Sequence, residues 1–251
     1  MIVVLMCKFR YQGHENDAGI PQASGTIAPA QNSQDLCLNF DADEIFGSAA
    51  YALQVSPLSH LTIDQNVLGT FGSAIQHFMQ CHCSDNLCIG AIIPAIGAAC
   101  PEGGVVDVSA QATDVVTFNF NSTGAFGDLK ATAGFQSHFP NGEMHDLFHI
   151  TTTVDLEVPS NLRFEGWMIK GQVLVTGADL QLGSSLIGNI DSAAIQQIWD
   201  TVLKIVVETS ISHLLEAGIP LPQLPYVNVV NPNIWFAPHA LTFCTDAQYT
   251  G

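Results

Sequence analysis

The residues with the most distinctive chemistry in this chain of 251 residues are cysteines and histidines that cluster between residues 77 and 100. The cluster consists of His77, Cys81, His82, Cys83, Cys88 and Cys100. Thiolate and imidazole are the usual ligands of zinc, so a zinc site is one interpretation. Structural zinc sites hold ligand pairs two to four residues apart in each knuckle, and this spacing does not fit that pattern. We therefore favour two local disulfides and no metal, with the pairing left open by the sequence.

Disulfides and glycosylation both indicate an oxidising, extracellular compartment. Three further cysteines, for a total of seven, leave one without a partner inside the chain: Cys7, Cys37 and Cys244. Asn121 begins a single Asn-Ser-Thr acceptor pattern for N-glycosylation. The apolar start Met1–Cys7 is not a convincing signal peptide, because it is short and basic residues follow it. The sequence nevertheless predicts a secreted protein.

The sequence contains no arrangement typical of an enzyme. Its nine histidines are scattered, and none stands near a Gly-x-Ser-x-Gly turn. It has no His-Glu-x-x-His pattern and no phosphate-binding glycine-rich loop. We therefore expect a non-catalytic protein that requires no cofactor.

Composition excludes some classes of partner and points towards another. Six Lys and Arg stand against 23 Asp and Glu, which gives a formal charge of −17. A nucleic-acid binder needs clustered basic residues to contact phosphates, so that class is excluded. The mean hydropathy of +0.28 is high, but no apolar run reaches the roughly 18 residues of a membrane-spanning helix. An internal apolar site would explain this composition.

The chain begins with a segment that lacks apolar periodicity. Residues 12–34 are rich in Gly, Ala, Ser, Asn, Gln and Pro, so we expect residues 1–34 to form a flexible arm or linker remnant. Residues 35–251 are expected to form a single domain. A short strand at Leu36–Phe40 begins that domain, with Asp41 or Asp43 as the N-cap of the helix that follows.

Two helices and then a run of strands are predicted after this start. Apolar residues at helical spacing predict helices over about residues 43–54 and 64–80. Between residues 105 and 182 the apolar period becomes two, most clearly over 148–158. One apolar and one polar face indicate an antiparallel meander that is covered on one side.

A long helix follows the meander, capped by Asp191 or Ser192 and ended by Gly218. Its polar residues recur every four positions, which leaves most of its circumference apolar. Such a helix must be wrapped, and a long twisted sheet is the available partner. Two final strands are predicted near residues 227–230 and 234–244.

The segment after the long helix, GIPLPQLPYVNVVNPNIWFAPHALTFCTDAQY, resembles the C-terminal end of the bactericidal/permeability-increasing protein family. That family includes the lipopolysaccharide-binding protein and the phospholipid and cholesteryl ester transfer proteins. Leu36–Leu53 resembles the strand-into-helix opening of the family's C-terminal half, and the order of elements agrees to the end of the chain. An N-terminal half is then expected to be missing.

This resemblance implies an α+β fold in which a long, strongly twisted antiparallel sheet wraps around one long helix, with a shorter helix packed alongside. It also implies an apolar pocket for a phospholipid or similar lipid, and it could bring Cys37 and Cys244 together as a third disulfide. The expected function is non-catalytic binding of phospholipid or microbial lipid, as a carrier or in innate immunity. The alternative is a protein-interaction module with a fully packed core.

Apolar residues on the first helix and the long helix are the predicted pocket walls. They are Ile45, Phe46, Ala49, Leu53, Ile198, Val202, Ile205 and Val206. Small residues in the first helix would leave room for acyl chains, although they could equally allow close packing. The apolar run Ile89–Ala99 is an exposed tip that contacts a membrane or micelle, a lid over the pocket, or a buried loop.

Overall fold

The computed structural model describes residues 2–5, 12–13, 17, 36–56, 59–64, 67, 70–220, 223 and 226–249. Most of the predicted arm, residues 1–34, therefore lies outside the described residues. Within that segment Ile2–Leu5 forms a strand, which the sequence does not predict and which pairs in parallel with Leu36–Asp41.

The strands, numbered in chain order over the described residues, have the following bounds. They are β1 (Ile2–Leu5), β2 (Leu36–Asp41), β3 (His60–Ile63), β4 (Val105–Ala112), β5 (Thr117–Asn121), β6 (Gly124–His138), β7 (Met144–Pro159), β8 (Arg163–Glu165), β9 (Met168–Lys170), β10 (Leu174–Ser185), β11 (Ile219–Pro220), β12 (Val227–Ala237) and β13 (Ala240–Tyr249). The helices are α1 (Ala42–Val55), α2 (Ser73–Phe78), α3 (Ile89–Ile92), α4 (Pro94–Ala99), α5 (Ser192–Ile198) and α6 (Lys204–Ala217).

Three sheets are present in the described part of the chain. The large sheet has the order β10-β7-β6-β4-β3, β5 pairs with β6, and every pair in this sheet is antiparallel. A second sheet has the order β1-β2-β13-β12, and a small third sheet has the order β11-β9-β8. The predicted antiparallel meander and the α+β class are confirmed.

The long helix is interrupted by a wider turn. A π-helical segment, Trp199–Leu203, joins α5 to α6 without a break in the chain direction. An α-helix has 3.6 residues per turn, so polar residues spaced by four drift by about 40° at each step. A π-helical turn holds more residues, so each residue rotates less about the helix axis. This brings the polar residues back towards one side of the helix. As predicted, Asp191 caps the start, and Gly218, at a φ of 98°, follows the end.

Polar residues of the long helix satisfy the open edge of the large sheet, at β10. The Glu208 carboxylate accepts a hydrogen bond from the Val175 backbone N–H at 3.0 Å. The Ser212 hydroxyl accepts from the Val173 N–H at 3.1 Å and donates to the Val173 carbonyl at 2.8 Å. Two members of the four-residue polar repeat therefore act as hydrogen-bond partners for an edge strand rather than as a solvated face.

Two predicted boundaries are wrong, and local backbone conformation explains both. The helix predicted over residues 64–80 does not run through, because Gly72 has a φ of 104° and α2 begins only at Ser73. The single strand predicted over residues 234–244 is instead a hairpin turn with the end of β12 on one side and the start of β13 on the other. The turn contains His239 at a φ of 59°, a conformation that no apolar period reveals.

Among the described residues, no helix is both long enough and apolar enough to cross a membrane.

Replacing Glu208 by alanine should destabilise the fold by about 1–2 kcal/mol, because it leaves the Val175 N–H of the edge strand without its acceptor. Glu208→Gln should retain most of the stability, since an amide oxygen can also accept. Glu216→Ala, on the same helix, is the matched control. Urea unfolding followed by circular dichroism measures the difference. Equal losses for Glu208→Ala and Glu216→Ala would contradict the proposed role of the hydrogen bonds between the long helix and β10.

The disulfides should differ in their contribution to stability according to the length of the loop that each closes. Cys37–Cys244 spans 207 residues and Cys83–Cys88 spans only five. Loop entropy predicts losses of about 5 and about 2 kcal/mol when the paired cysteines become alanines. The same unfolding assay on the two double variants checks this order, and a larger loss for the short loop would show the reasoning to be wrong.

Candidate functional site

The inner face of the large sheet is identified by burial along β7. Ile150 and Val154 are 1% and 2% exposed, while the alternate residues Thr151 and Asp155 are exposed. Side chains two residues apart on a strand lie on the same face. The inner face is therefore the one that carries Ile150, Thr152 and Val154.

Strand register places four alanines together on this inner face. Ala133 lies opposite Ala110 on one side and Ile150 on the other, and Ala131 lies opposite Ala112 and Thr152. Directly opposite residues in an antiparallel pair have their side chains on the same face. We call Ala110, Ala112, Ala131 and Ala133 the alanine strip. Its methyl groups leave a shallow region in an otherwise bulky apolar surface.

The inner face is only partly covered around this strip. Ala110, Ala112 and Ala131 are half-buried, as are Leu129 on β6 and Leu180 on β10. The long helix packs chiefly against β9 and β10 rather than against β4 and β6. The strip therefore lies where the inner face is half-buried, whereas Val108 and Phe135, further along the same two strands, are buried.

The predicted wall residues of the long helix fall into two groups. Ile198, Val202 and Val206 are buried in the same hydrophobic core as the inner face of the sheet. Ile205 is 48% exposed, so this side chain does not line an interior space. A helix presents successive residues to different sides, which explains why neighbours in this set separate.

The predicted wall residues of α1 lie in a different environment. Ile45 and Phe46 are buried, Ala49 is half-buried and Leu53 is 36% exposed. The ring of Phe46 lies 5.4–5.8 Å from three other phenylalanine rings, at Phe118, Phe120 and Phe236. Aromatic rings fill the space beside Phe46, and α1 packs against β2, β5 and β13. The two helices thus have different main neighbours among the strands, although Ile45 and Phe46 belong to the same hydrophobic core as Ile198, Val202 and Val206. A shared lipid pocket between them stays a prediction.

Sequence reasoning missed the alanine strip and its leucine neighbours. The alternation of Leu129, Ala131, Ala133 and Phe135 is visible in the sequence. The missing information is which face is inward and which residues lie opposite, because register depends on pairing between distant segments.

The described surface includes two small depressions. One, of about 240 Å³, lies at the seam between α6 and the start of β10 and includes Glu208, Ser212 and Leu174. The other, of about 180 Å³, is formed mainly by polar residues such as Thr151, Thr153 and Asp179, and Ala131 and Thr152 also border it. Both are below the roughly 300–1,000 Å³ of typical ligand pockets, and none of the eight predicted wall residues lines them.

Disulfides occupy the cysteines of the cluster that could have held zinc. Cys81 pairs with Cys100, and Cys83 pairs with Cys88. The side chains of His77, Cys83 and Asp85 approach within 4.8 Å of one another. The disulfide leaves Cys83 without the thiolate that zinc requires, and His77 bonds to Asp85 instead, which lowers the pKa of that carboxyl.

The remaining cysteine and glycosylation predictions have different outcomes. Cys37 and Cys244 form the third disulfide, between paired positions of β2 and β13. Cys7 lies outside the described residues. Asn121 is exposed at the turn between β5 and β6, where its side-chain oxygen accepts a hydrogen bond from the Thr123 N–H at 2.8 Å. Its glycosylation stays a prediction.

The apolar run Ile89–Ala99 folds into the two short helices α3 and α4. Ile89, Ile93 and Ile96 are buried. Gly90 approaches the Cys81 carbonyl so closely that a Cβ there would lie 1.8 Å from the oxygen. These contacts favour the buried-loop alternative over an exposed tip.

Asp107, near the start of β4, carries a buried carboxylate. Burial raises the pKa of Asp107, and the nearby carboxylate of Asp64 adds to this effect. The imidazole of His138 lies 3.2 Å from the Asp107 carboxylate and acts in the opposite direction. Burial is the largest of these effects, because removal from water disfavours the charged form.

The fold described above agrees with the family to which the chain belongs. A twisted antiparallel sheet that packs on one long apolar helix, with an inner face left half-open, is an α+β domain built around an apolar interior. The chain belongs to the LBP / BPI / CETP family, whose C-terminal domain model matches residues 9–249. This family contains lipid-binding and lipid-transfer proteins.

Two relatives show how far the similarity extends. A protein of Sebastes schlegelii described as "Bactericidal permeability-increasing protein" is 28% identical over 166 residues, which are 64% of this chain and 34% of that protein. The crystal structure of a lipopolysaccharide binding protein has the same fold, with a TM-score of 0.53 and 12% identity. That match covers 92% of this chain and 47% of the other. The chain thus spans about a third of the first relative and about half of the second.

Stability should depend on pH through Asp107. Because its pKa is raised from the ordinary 3.8, the folded protein binds this proton more tightly than the unfolded chain. The resulting stabilisation is complete below pH 3.8 and is lost as the pH rises through the raised pKa. Relative to Asp107→Asn, the unaltered protein should therefore gain stability as the pH falls from 7.5 to 3.5. Urea unfolding of both proteins across this range tests it, and a constant difference would exclude the effect.

Proposed function

We propose that this chain is a non-catalytic lipid-binding domain that holds an acyl lipid, a phospholipid or microbial lipid, against the inner face of its large sheet. The half-open alanine strip carries this proposal, because it is apolar surface that the long helix leaves partly uncovered. Family membership supports the same ligand class. The domain would act as a carrier or in innate recognition.

Hydrocarbon burial can supply the affinity without any reactive group. Each buried CH₂ contributes about 0.8 kcal/mol, so a 16-carbon chain could contribute on the order of 10 kcal/mol before the cost of ordering it. The alanine strip with Leu129 and Leu180 forms one wall of this site. Ile198, Val202 and Val206 belong to the same large apolar core, on the side of β9 and β10, and stay predicted wall residues.

The head group of the lipid is expected to be neutral or zwitterionic. Two of the lysines in the described residues are already paired, Lys130 with Asp114 at 3.3 Å and Lys170 with Glu165 at 3.0 Å. An anionic saccharide-phosphate head group requires clustered basic residues, and the chain has only six Lys and Arg in all. Acyl contacts rather than charge should dominate binding.

Three disulfides support an extracellular location, since such bonds persist in oxidising compartments. We therefore propose that the lipid is taken up outside the cell or from its outer surface.

A protein-interaction module with a packed interior is the second candidate. The phenylalanine cluster around Phe46 favours it, because ring centroids 5.4–5.8 Å apart show aromatic side chains packed against one another in the core. The two candidates therefore make opposite claims about the region beside the alanine strip.

Lipid extraction and native mass spectrometry of the purified protein should reveal a bound acyl lipid. Ala131→Leu fills the strip, and it should lower the bound fraction at least tenfold. Ala193→Leu makes the same change at an exposed position of α5 and should leave lipid binding intact. Melting curves confirm that both variants fold. A protein that is consistently empty, or an Ala131→Leu variant that retains lipid, would support the packed module instead.

A further inference from the structure

The hydroxyl of Thr152 is a buried polar group without a hydrogen-bond partner. Thr152 is only 9% exposed, and its Oγ1 contacts no donor or acceptor in the described residues. An unpaired hydroxyl in an apolar interior lowers stability, whereas valine of the same shape would avoid that loss. Packing alone therefore does not explain a threonine at this position.

Thr152 lies within the apolar site described above. It shares the inner face of β7 with Ile150 and Val154, and strand register places Ala131 and Leu180 directly opposite on the two neighbouring strands. The charged residues nearest in register, Lys130 and Asp179, pair with Thr153 and so lie on the outer face. The hydroxyl is thus the polar group that these strand positions direct towards the alanine strip.

Its surroundings define the chemistry of a ligand group that could bind there. Lys130 and Asp179 border the same depression as Thr152 but belong to the outer face, so the inward-facing hydroxyl favours a neutral acceptor over a phosphate or carboxylate. An acyl ester presents such an acceptor, its carbonyl oxygen, at the point where the hydrocarbon chain begins. Neighbouring side chains cover Oγ1, so the ester must displace one of them. Half-buried Leu180, directly opposite on β10, is placed to move.

We infer that Thr152 Oγ1 donates a hydrogen bond to the ester carbonyl of an acyl lipid whose chain lies on the alanine strip. This inference rests on the proposed function and adds to it a ligand class, acyl esters, and a residue that selects it. The hydrocarbon supplies affinity, and the hydroxyl fixes how far along the strip the chain enters.

The test compares two lipids with the same zwitterionic head group and the same chain length, a diacyl ester and a dialkyl ether that lacks the carbonyls. Binding of each to the full chain is measured by displacement of a fluorescent fatty-acyl probe. The unaltered protein should prefer the ester by about three- to tenfold, the value of one hydrogen bond. Thr152→Val should bind both lipids equally, and Thr152→Ser, which keeps the hydroxyl, should retain the preference.

Thermal melting provides a second, independent measurement. Thr152→Val should melt at or above the temperature of the unaltered protein, because the variant loses a hydroxyl that has no internal partner. A melting temperature several degrees lower would show that the hydroxyl stabilises the protein itself, and would overturn the inference.

The outcomes separate the inference from the proposed function. If the unaltered protein binds both lipids equally, or if Thr152→Val keeps the ester preference, the inference is wrong while lipid binding stands. If the unaltered protein binds neither lipid, the proposed function fails and the inference fails with it.

Discussion

The long helix and the edge strand β10 each have a requirement that the other meets. Most of the helix surface is apolar and must be buried, and the edge strand presents backbone N–H groups that have no neighbouring strand to accept their hydrogen bonds. Glu208 and Ser212 join the two by hydrogen bonds to Val175 and Val173. This seam fixes the position of the helix along the sheet, and every surface that the helix covers or leaves open follows from it.

The candidate site lies on a part of the inner face that is less completely buried than the rest. On β4 and β6, Val108 and Phe135 are buried, whereas Ala112 and Ala131, further along the same strands, are half-buried. Small side chains occupy this half-buried part, and larger ones there would cover more of it by packing. The same protein closes its other end with the phenylalanine rings around Phe46. A region filled by aromatic rings and a half-buried one thus coexist on one scaffold, and the proposed acyl chain lies against the second.

Local signals in the sequence were enough to predict the elements but not their contacts. The caps at Asp41 and Asp191, the end of the long helix at Gly218 and the period-two strands all depend on neighbouring residues. The break at Gly72 was missed because a left-handed glycine leaves no mark on apolar spacing. The alanine strip was missed because it exists only through the register of β4, β6 and β7. The shared pocket of the two helices stays a prediction.

Affinity and selectivity have separate physical origins in such a site. Apolar burial grows with chain length and does not distinguish one hydrocarbon from another, so a smooth apolar wall would bind any lipid in any position. A single buried polar group changes this. A ligand that accepts its hydrogen bond gains binding free energy, whereas a ligand without an acceptor leaves the group unpaired, which is unfavourable. A neutral hydroxyl can select among lipids without basic side chains, which suits a chain with six Lys and Arg and a formal charge of −17. Thr152, placed among alanine and leucine side chains, meets that description.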